Sequence, residues 1–266
     1  MNTKQKQAIV KKLLEIGEKP RDPETGDYMY AGPNNRPANK LVNDLKNNPH
    51  AFVIACVLDR QVSAEIAWSA PYKLKQRIGN FEFPTLRAFS QEDWRKHLGP
   101  QKDGGVLHRL WKNVMPKCLH SATAVIDKYS DGTGDASRIW SGSLFGKDVV
   151  NRFKEIHGVG DKIGNMAVRI LVTNHAVKTD NRSIDVSVDV HIERVFCRLG
   201  LVEKSSSKSK MKKAIINTAR ELHPEFPGLI DPPIFHIGRD FCHKRNPDCG
   251  KCHMRALCDY AIKRKR

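Results

Sequence analysis

Residues 148–173, DVVNRFKEIHGVGDKIGNMAVRILVT, hold two helical patterns back to back. Val149, Val150, Phe153 and Ile156 mark one apolar face. Ile163, Met166, Ala167, Ile170 and Leu171 follow the i, i+3, i+4, i+7, i+8 rule and mark a second. Between them stands His157-Gly158-Val159-Gly160. Two glycines one residue apart permit a tight chain reversal and bare the backbone N–H groups at the start of the second helix, where a phosphate can bind. Lys162 falls in the first turn of that helix. On its own, such a turn serves an ordinary helical hairpin just as well.

Working outward, the remaining chain also reads as helical. Residues 5–17 carry an apolar stripe through Val10, Leu13 and Leu14, and Phe52–Leu58 is apolar all round, which suits a helix buried at the centre of a bundle. Leu107–Val114 and Ala122–Tyr129 are further candidates, with Pro116 breaking between them. Residues 21–39, rich in Pro, Gly, Asn and Asp, read as a long loop. Lys204–Lys213, with four serines and five lysines, reads as a mobile basic turn. Asp189 precedes the stripe Ile192, Val195, Phe196 and Leu199, closed by Gly200, and reads as a helix N-cap. Lys162 and Asp189 are 27 residues apart. That leaves room for a helix of about 12 residues, or ~18 Å of rise, and a return loop, so an amine and a carboxylate can meet in one cleft. Trp68, Trp94, Trp111 and Trp140 sit at helical spacing and read as core.

Cys242, Cys249, Cys252 and Cys258 follow the order C-x6-C-x2-C-x5-C, a spacing that folds one short loop around one metal centre. Four thiolates suit zinc or an iron-sulfur cluster. Cys56, Cys118 and Cys197 bring the total to seven, an odd number that argues against a disulfide scaffold and for a reducing compartment. The first six residues are polar and form no signal-peptide core. The longest apolar run, Ala51–Leu58, is far short of the roughly 20 residues that span a bilayer. A cytoplasmic protein is expected, nucleoid-associated in a prokaryote. The formal charge is +17, and residues 201–266 hold 15 Lys and Arg against 7 Asp and Glu, so about half the excess lies in the last quarter. No segment pairs a basic face with a broad apolar one, which disfavours a membrane surface and leaves nucleic acid as the expected polyanion. The ending Lys263-Arg264-Lys265-Arg266 reads as a phosphate contact or a solvated tail.

Three of these motifs occur together, and in order, in a known family. Ile156-His157-Gly158-Val159-Gly160-Asp161-Lys162 resembles the helix-hairpin-helix of the endonuclease III superfamily of DNA glycosylases. Val188-Asp189-Val190-His191-Ile192-Glu193-Arg194-Val195 resembles its catalytic aspartate segment, and the four-cysteine spacing is similar to its four-iron four-sulfur loop. The resemblance runs from the N-terminal helix through Asn48-Pro49-His50-Ala51-Phe52 to Cys258, with extra residues at about 21–39 and between Lys162 and Asp189.

The resemblance implies an all-α fold of two helical lobes flanking a DNA-binding cleft. One lobe would run over residues 40–186 and carry the hairpin; the other would join 1–39 to 187–266 and carry the cluster. It implies a base-excision enzyme, monomeric, acting on a damaged or mismatched base in double-stranded DNA. Lys162 would attack the sugar carbon and go on to cleave the strand as an AP lyase, and Asp189 would stabilise positive charge on the sugar. Gly158, Val159, Gly160, Lys244 and Arg245 would contact DNA, Gln61 would fill the gap left by the extruded base, and the four cysteines would hold a 4Fe-4S cluster. Cys56 stands where adenine-removing relatives keep a glutamate, which argues against adenine as target. Val62-Ser63-Ala64-Glu65 departs from the small polar run of endonuclease III itself, which weakens the case for oxidised pyrimidines. A non-catalytic DNA-binding protein and an iron-sulfur redox sensor stay open as alternatives.

Overall fold

The computed structural model describes residues 2–17, 21–100, 105–142 and 145–264. Its elements are helices: α1 (Thr3–Ile16), α2 (Arg36–Asn43), α3 (Pro49–Leu58), α4 (Ala64–Ile78), α5 (Phe83–Arg87), α6 (Gln91–Leu98) and α7 (Val114–Tyr129). There follow α8 (Gly146–Lys154), α9 (Asp161–His175), α10 (Val190–Leu199), α11 (Lys208–Leu222), α12 (Asp231–Asp240) and α13 (Asp259–Lys263). Among the described residues there is no strand, only the isolated bridges Arg21–Tyr28 and Phe145–Asp180. No described helix is long and apolar enough to cross a membrane.

The chain divides into two compact units. The first comprises Met1–Glu18, Phe145–Lys147 and Lys178–Arg266; the second comprises Lys19–Leu144 and Asp148–Val177. In the first, Ile9 and Leu13 of α1 join Ile192, Val195, Phe196 and Leu199 of α10, Met211 and Ile215 of α11 and Ile234 and Ile237 of α12 in one core. Residues 178–186 belong here rather than with 40–177. Gly146 N–H bonds to Asp180 O at 3.2 Å, and Arg220 pairs with Asp185 at 2.8 Å.

The second unit is built around α3, every residue of which is buried. Phe52 meets Trp68 and Trp140 edge-on, with centroids 5.7 and 5.9 Å apart, and Trp94 is fully enclosed. Burying each such aromatic contributes about 2–3 kcal/mol. Of the four tryptophans, Trp111 alone is only half-buried.

Two helix readings need correction. Leu107–Asn113 is turn, and α7 begins at Val114, with Pro116 inside its first turn, where a missing N–H costs nothing. Lys208–Lys213 is not a turn, because Ser207 caps α11 by accepting from Lys210 N–H.

Residues 21–39 pack within the second unit and are more ordered than a bare loop. Asp22 accepts from Glu24 N–H and is paired with Arg36 at 2.9 Å. The Asn39 side chain accepts from Ala31 N–H and donates to Gly32 O, both at 2.8 Å, and Asn43 donates to Tyr28 O at 3.0 Å. Tyr30 stacks on Trp68 at 4.4 Å and its hydroxyl accepts from Asn174 Nδ2 at 2.6 Å. Beside it, burial and then the Arg21 charge lower the His175 pKa to about 4. Between about pH 4 and 6.5 the unfolded chain therefore binds a proton that the folded chain refuses. The His175 contribution to stability is complete above pH 6.5 and is lost as the pH falls towards 4, a difference of about 3 kcal/mol. Urea denaturation midpoints measured across this range should fall with acidity, and the fall should shrink in His175→Gln.

Candidate active site and metal-binding loop

The hairpin lies in the second unit. Ile156 and Val159 plug its base, 1% and 7% exposed. Gly158 has φ +84°, the left-handed region glycine favours, and a Cβ there would fall 2.7 Å from Cys118 Sγ and 2.8 Å from Arg60 Nη1. His157 N–H donates to Ser121 Oγ at 2.9 Å, which fixes the turn on α7. The Val159 N–H is already bonded to Ile156 O at 2.9 Å. Gly160 caps α9 without a side-chain hydrogen bond, so the first N–H groups of that helix are the ones a phosphate would meet. A Cβ on Gly160 would meet nothing within 4 Å, so nothing inside the protein requires a glycine at this position. Gly164 is different: a Cβ would come within 3.2 Å of Val150, so it permits the close crossing of α8 and α9. Asp161, whose charge would repel a phosphate, is paired with Lys154 at 2.5 Å.

Lys162 is half-buried in the first turn of α9. Gln61 is exposed and, unusually for a non-glycine residue, has φ +57°. Cys56, within α3, is fully buried, and burial ahead of the nearby Asp59 drives its thiol well above the ordinary range; it serves as packing.

Asp189 lies in the first unit and is the N-cap of α10. Its Oδ1 accepts from His191 N–H at 2.8 Å and from Ile192 N–H at 2.9 Å, which holds the carboxylate in one orientation.

Also in the first unit, Cys242, Cys249, Cys252 and Cys258 line one cavity together with Leu199, Ile237 and other largely apolar neighbours. Part of this space is open to solvent. No disulfide joins any of the seven cysteines. Burial first, and then their neighbours in the set, push the Cys252 and Cys258 thiols above the usual range. Among the described residues no three His, Cys, Asp or Glu side chains converge on a point that could hold a single metal ion.

Two arginines on α10 clasp this loop. Arg194 donates to Gly238 O at 2.7 Å and to Cys242 O at 2.5 Å. One turn later Arg198 donates to Cys242 Sγ at 3.2 Å, to His243 O at 2.7 Å and to Lys244 O at 3.1 Å. The Lys244 and Arg245 side chains are left exposed. Sequence reading missed both arginines; their signal is the pair at i, i+4 on the face of α10 away from its apolar stripe. Of the basic tail, residues 265 and 266 lie outside the described residues.

No protein-family model matches the chain. Over 120 residues, 44% of this chain and 42% of the relative, it is 28% identical to the Endonuclease III homolog of Encephalitozoon cuniculi (strain GB-M1). Over 110 residues, 41% of this chain and 45% of the relative, it is 27% identical to Endonuclease III of Bacillus subtilis (strain 168). The match thus spans less than half the length of these curated relatives. Among solved structures, a thermostable thymine-DNA glycosylase aligns over 98% of both chains with a TM-score of 0.62 and 18% identity. A non-covalent endonuclease III–DNA complex aligns over 100% of this chain and 99% of the other, with a TM-score of 0.62 and 16% identity. A trapped endonuclease III–DNA covalent intermediate covers 87% of this chain and 99% of its own, with a TM-score of 0.58 and 17% identity. At such identities the likeness is one of architecture: the chain shares the all-helical fold of these endonuclease III and thymine-DNA glycosylase structures.

Proposed function

We propose that this protein is a base-excision DNA glycosylase with AP lyase activity, acting as a monomer on a damaged or mismatched base in duplex DNA. The observation that carries the reading is the Lys162 amine on the first turn of the helix that follows a phosphate-ready hairpin. The bare surface at Gly160 supports a close approach of the DNA backbone there. The overall charge of +17 and the exposed Lys244 and Arg245 support a polyanionic partner.

The target nucleotide must leave the duplex, because its glycosidic carbon is otherwise out of reach. Gln61 takes the vacated place in the stack. As the bond from C1′ to the base breaks, the Lys162 amine supplies the electron pair that forms the new C1′–N bond, and the base departs with the bonding pair. Asp189 stabilises the positive charge that develops on the sugar; its cap bonds both fall on Oδ1, so Oδ2 is the oxygen for this task. Opening of the sugar gives a Schiff base. Loss of a 2′ proton then expels the 3′ phosphate and cuts the strand.

Cys242, Cys249, Cys252 and Cys258 would hold a 4Fe-4S cluster, and their arrangement around one cavity fits it. When bound, that group supplies a structural cross-link for the loop bearing Lys244 and Arg245.

The test is a panel of duplexes, each holding one lesion or mismatch, with base release and strand nicking scored separately. At least one duplex should lose its base and be nicked at the same position. Binding to every duplex with release from none would overturn the enzyme reading in favour of a non-catalytic binder.

A further inference from the structure

We infer that Arg60 is the positioning residue that joins the Gln61 loop to the hairpin, so that holding a phosphate at the turn and opening the base stack at Gln61 act as one event. The inference rests on the proposed reading of both segments as DNA contacts.

Gln61 keeps a left-handed backbone that costs a non-glycine residue energy, and such a conformation persists only where the surroundings over-determine it. Four contacts do so. His108 Nε2 bonds to Leu58 O at 3.2 Å, Trp68 Nε1 donates to Asp59 Oδ2 at 3.3 Å, and Arg109 Nη1 reaches Gln61 O at 3.5 Å. Leu110 N–H donates to His108 Nδ1 at 3.1 Å, so Nδ1 accepts and the Nε2 proton faces Leu58 O.

These three tie the loop to α4 and to residues 108–109. The fourth goes elsewhere. Arg60 Nη1 donates to Gly158 O at 3.2 Å, across 98 positions of sequence, and the turn accommodates it because Gly158 lacks a Cβ that would lie 2.8 Å from that nitrogen. A guanidinium bonded to the hairpin carbonyl also sets a positive charge against the turn proposed to take a phosphate. Any shift of the hairpin onto DNA therefore pulls on the residue adjoining Gln61, and the reverse.

The test uses a duplex with one tetrahydrofuran abasic-site analogue and 2-aminopurine opposite it, whose fluorescence rises when the stack opens. Amplitude at saturating protein is compared for the wild type, Arg60→Met, Arg60→Lys, Gln61→Ala and the Arg60→Met/Gln61→Ala double variant, with melting temperatures alongside. Arg60→Met should lower the amplitude about fivefold, as far as Gln61→Ala does, and the double variant should fall no further, as coupled residues require. Arg60→Lys, whose ammonium can still donate to Gly158 O, should recover much of the signal, which a general loss of packing would not predict. If Arg60→Met does not fold, Arg60→Gln, with a shorter side chain, takes its place. A wild-type rise that Arg60→Met shares, or single losses that multiply in the double variant, overturns the inference alone. A wild type that gives no rise overturns the proposed function and this inference with it.

Discussion

Lys162→Gln is expected to abolish the covalent complex that borohydride traps between the protein and damaged DNA, and to lower strand nicking by on the order of a thousandfold or more. Glutamine keeps the length and helix propensity of the first turn of α9, so the melting temperature should stay within a degree or two of wild type. A trap formed equally well by this variant would remove Lys162 from the chemistry. Asp189→Asn is the companion experiment, and the structure makes it a clean one. Asparagine can accept the same bonds from His191 and Ile192 N–H, so the cap survives while the charge is lost. Activity should fall with little change in stability. Asp189→Ala should lose the activity and also about 1 kcal/mol of stability, because the cap goes too.

Replacing Cys252 or Cys258 by alanine should release iron and the broad visible absorbance of the purified protein, and should destabilise the first unit by on the order of 4 kcal/mol. The size follows from where the loop sits: Met254, Cys258 and Ala261 are buried in the same core as Val195, Leu199 and Ile237. Loss of the proposed cluster would leave an unfilled space against that core, so the damage should reach past the surface loop. Chemical assay of the purified protein for iron, sulfide and zinc gives the independent check. Zinc without iron would overturn the cluster assignment.

Much of this architecture was legible before any coordinates. The helices at 148–173 and α3 announced themselves because long apolar periods, or a wholly apolar run, leave few alternatives, and Asp189 before a stripe ending in glycine is a cap by local chemistry alone. Proline misled at position 116, because its effect depends on register: in a first turn it removes an N–H that had no partner to lose. Residues 21–39 read as loop because the amides that order them, Asn39 and Asn43, bond to backbone groups and leave no periodic trace. Arg60, Arg194 and Arg198 stayed invisible for a related reason. Their partners include carbonyls 98, 44 and 45 positions away, and a charged side chain whose acceptor is distant looks like any solvated charge.

The core that α1 shares with α10, α11 and α12 bears on the order of assembly. The second unit is nearly continuous in the chain, and all of it has been synthesised by Val177. It can therefore consolidate on the ribosome while α1, already made, waits for partners that emerge last. The four cysteines lie later still in the chain, so a truncation after Val177 should yield a folded hairpin fragment trailing an unfolded leader.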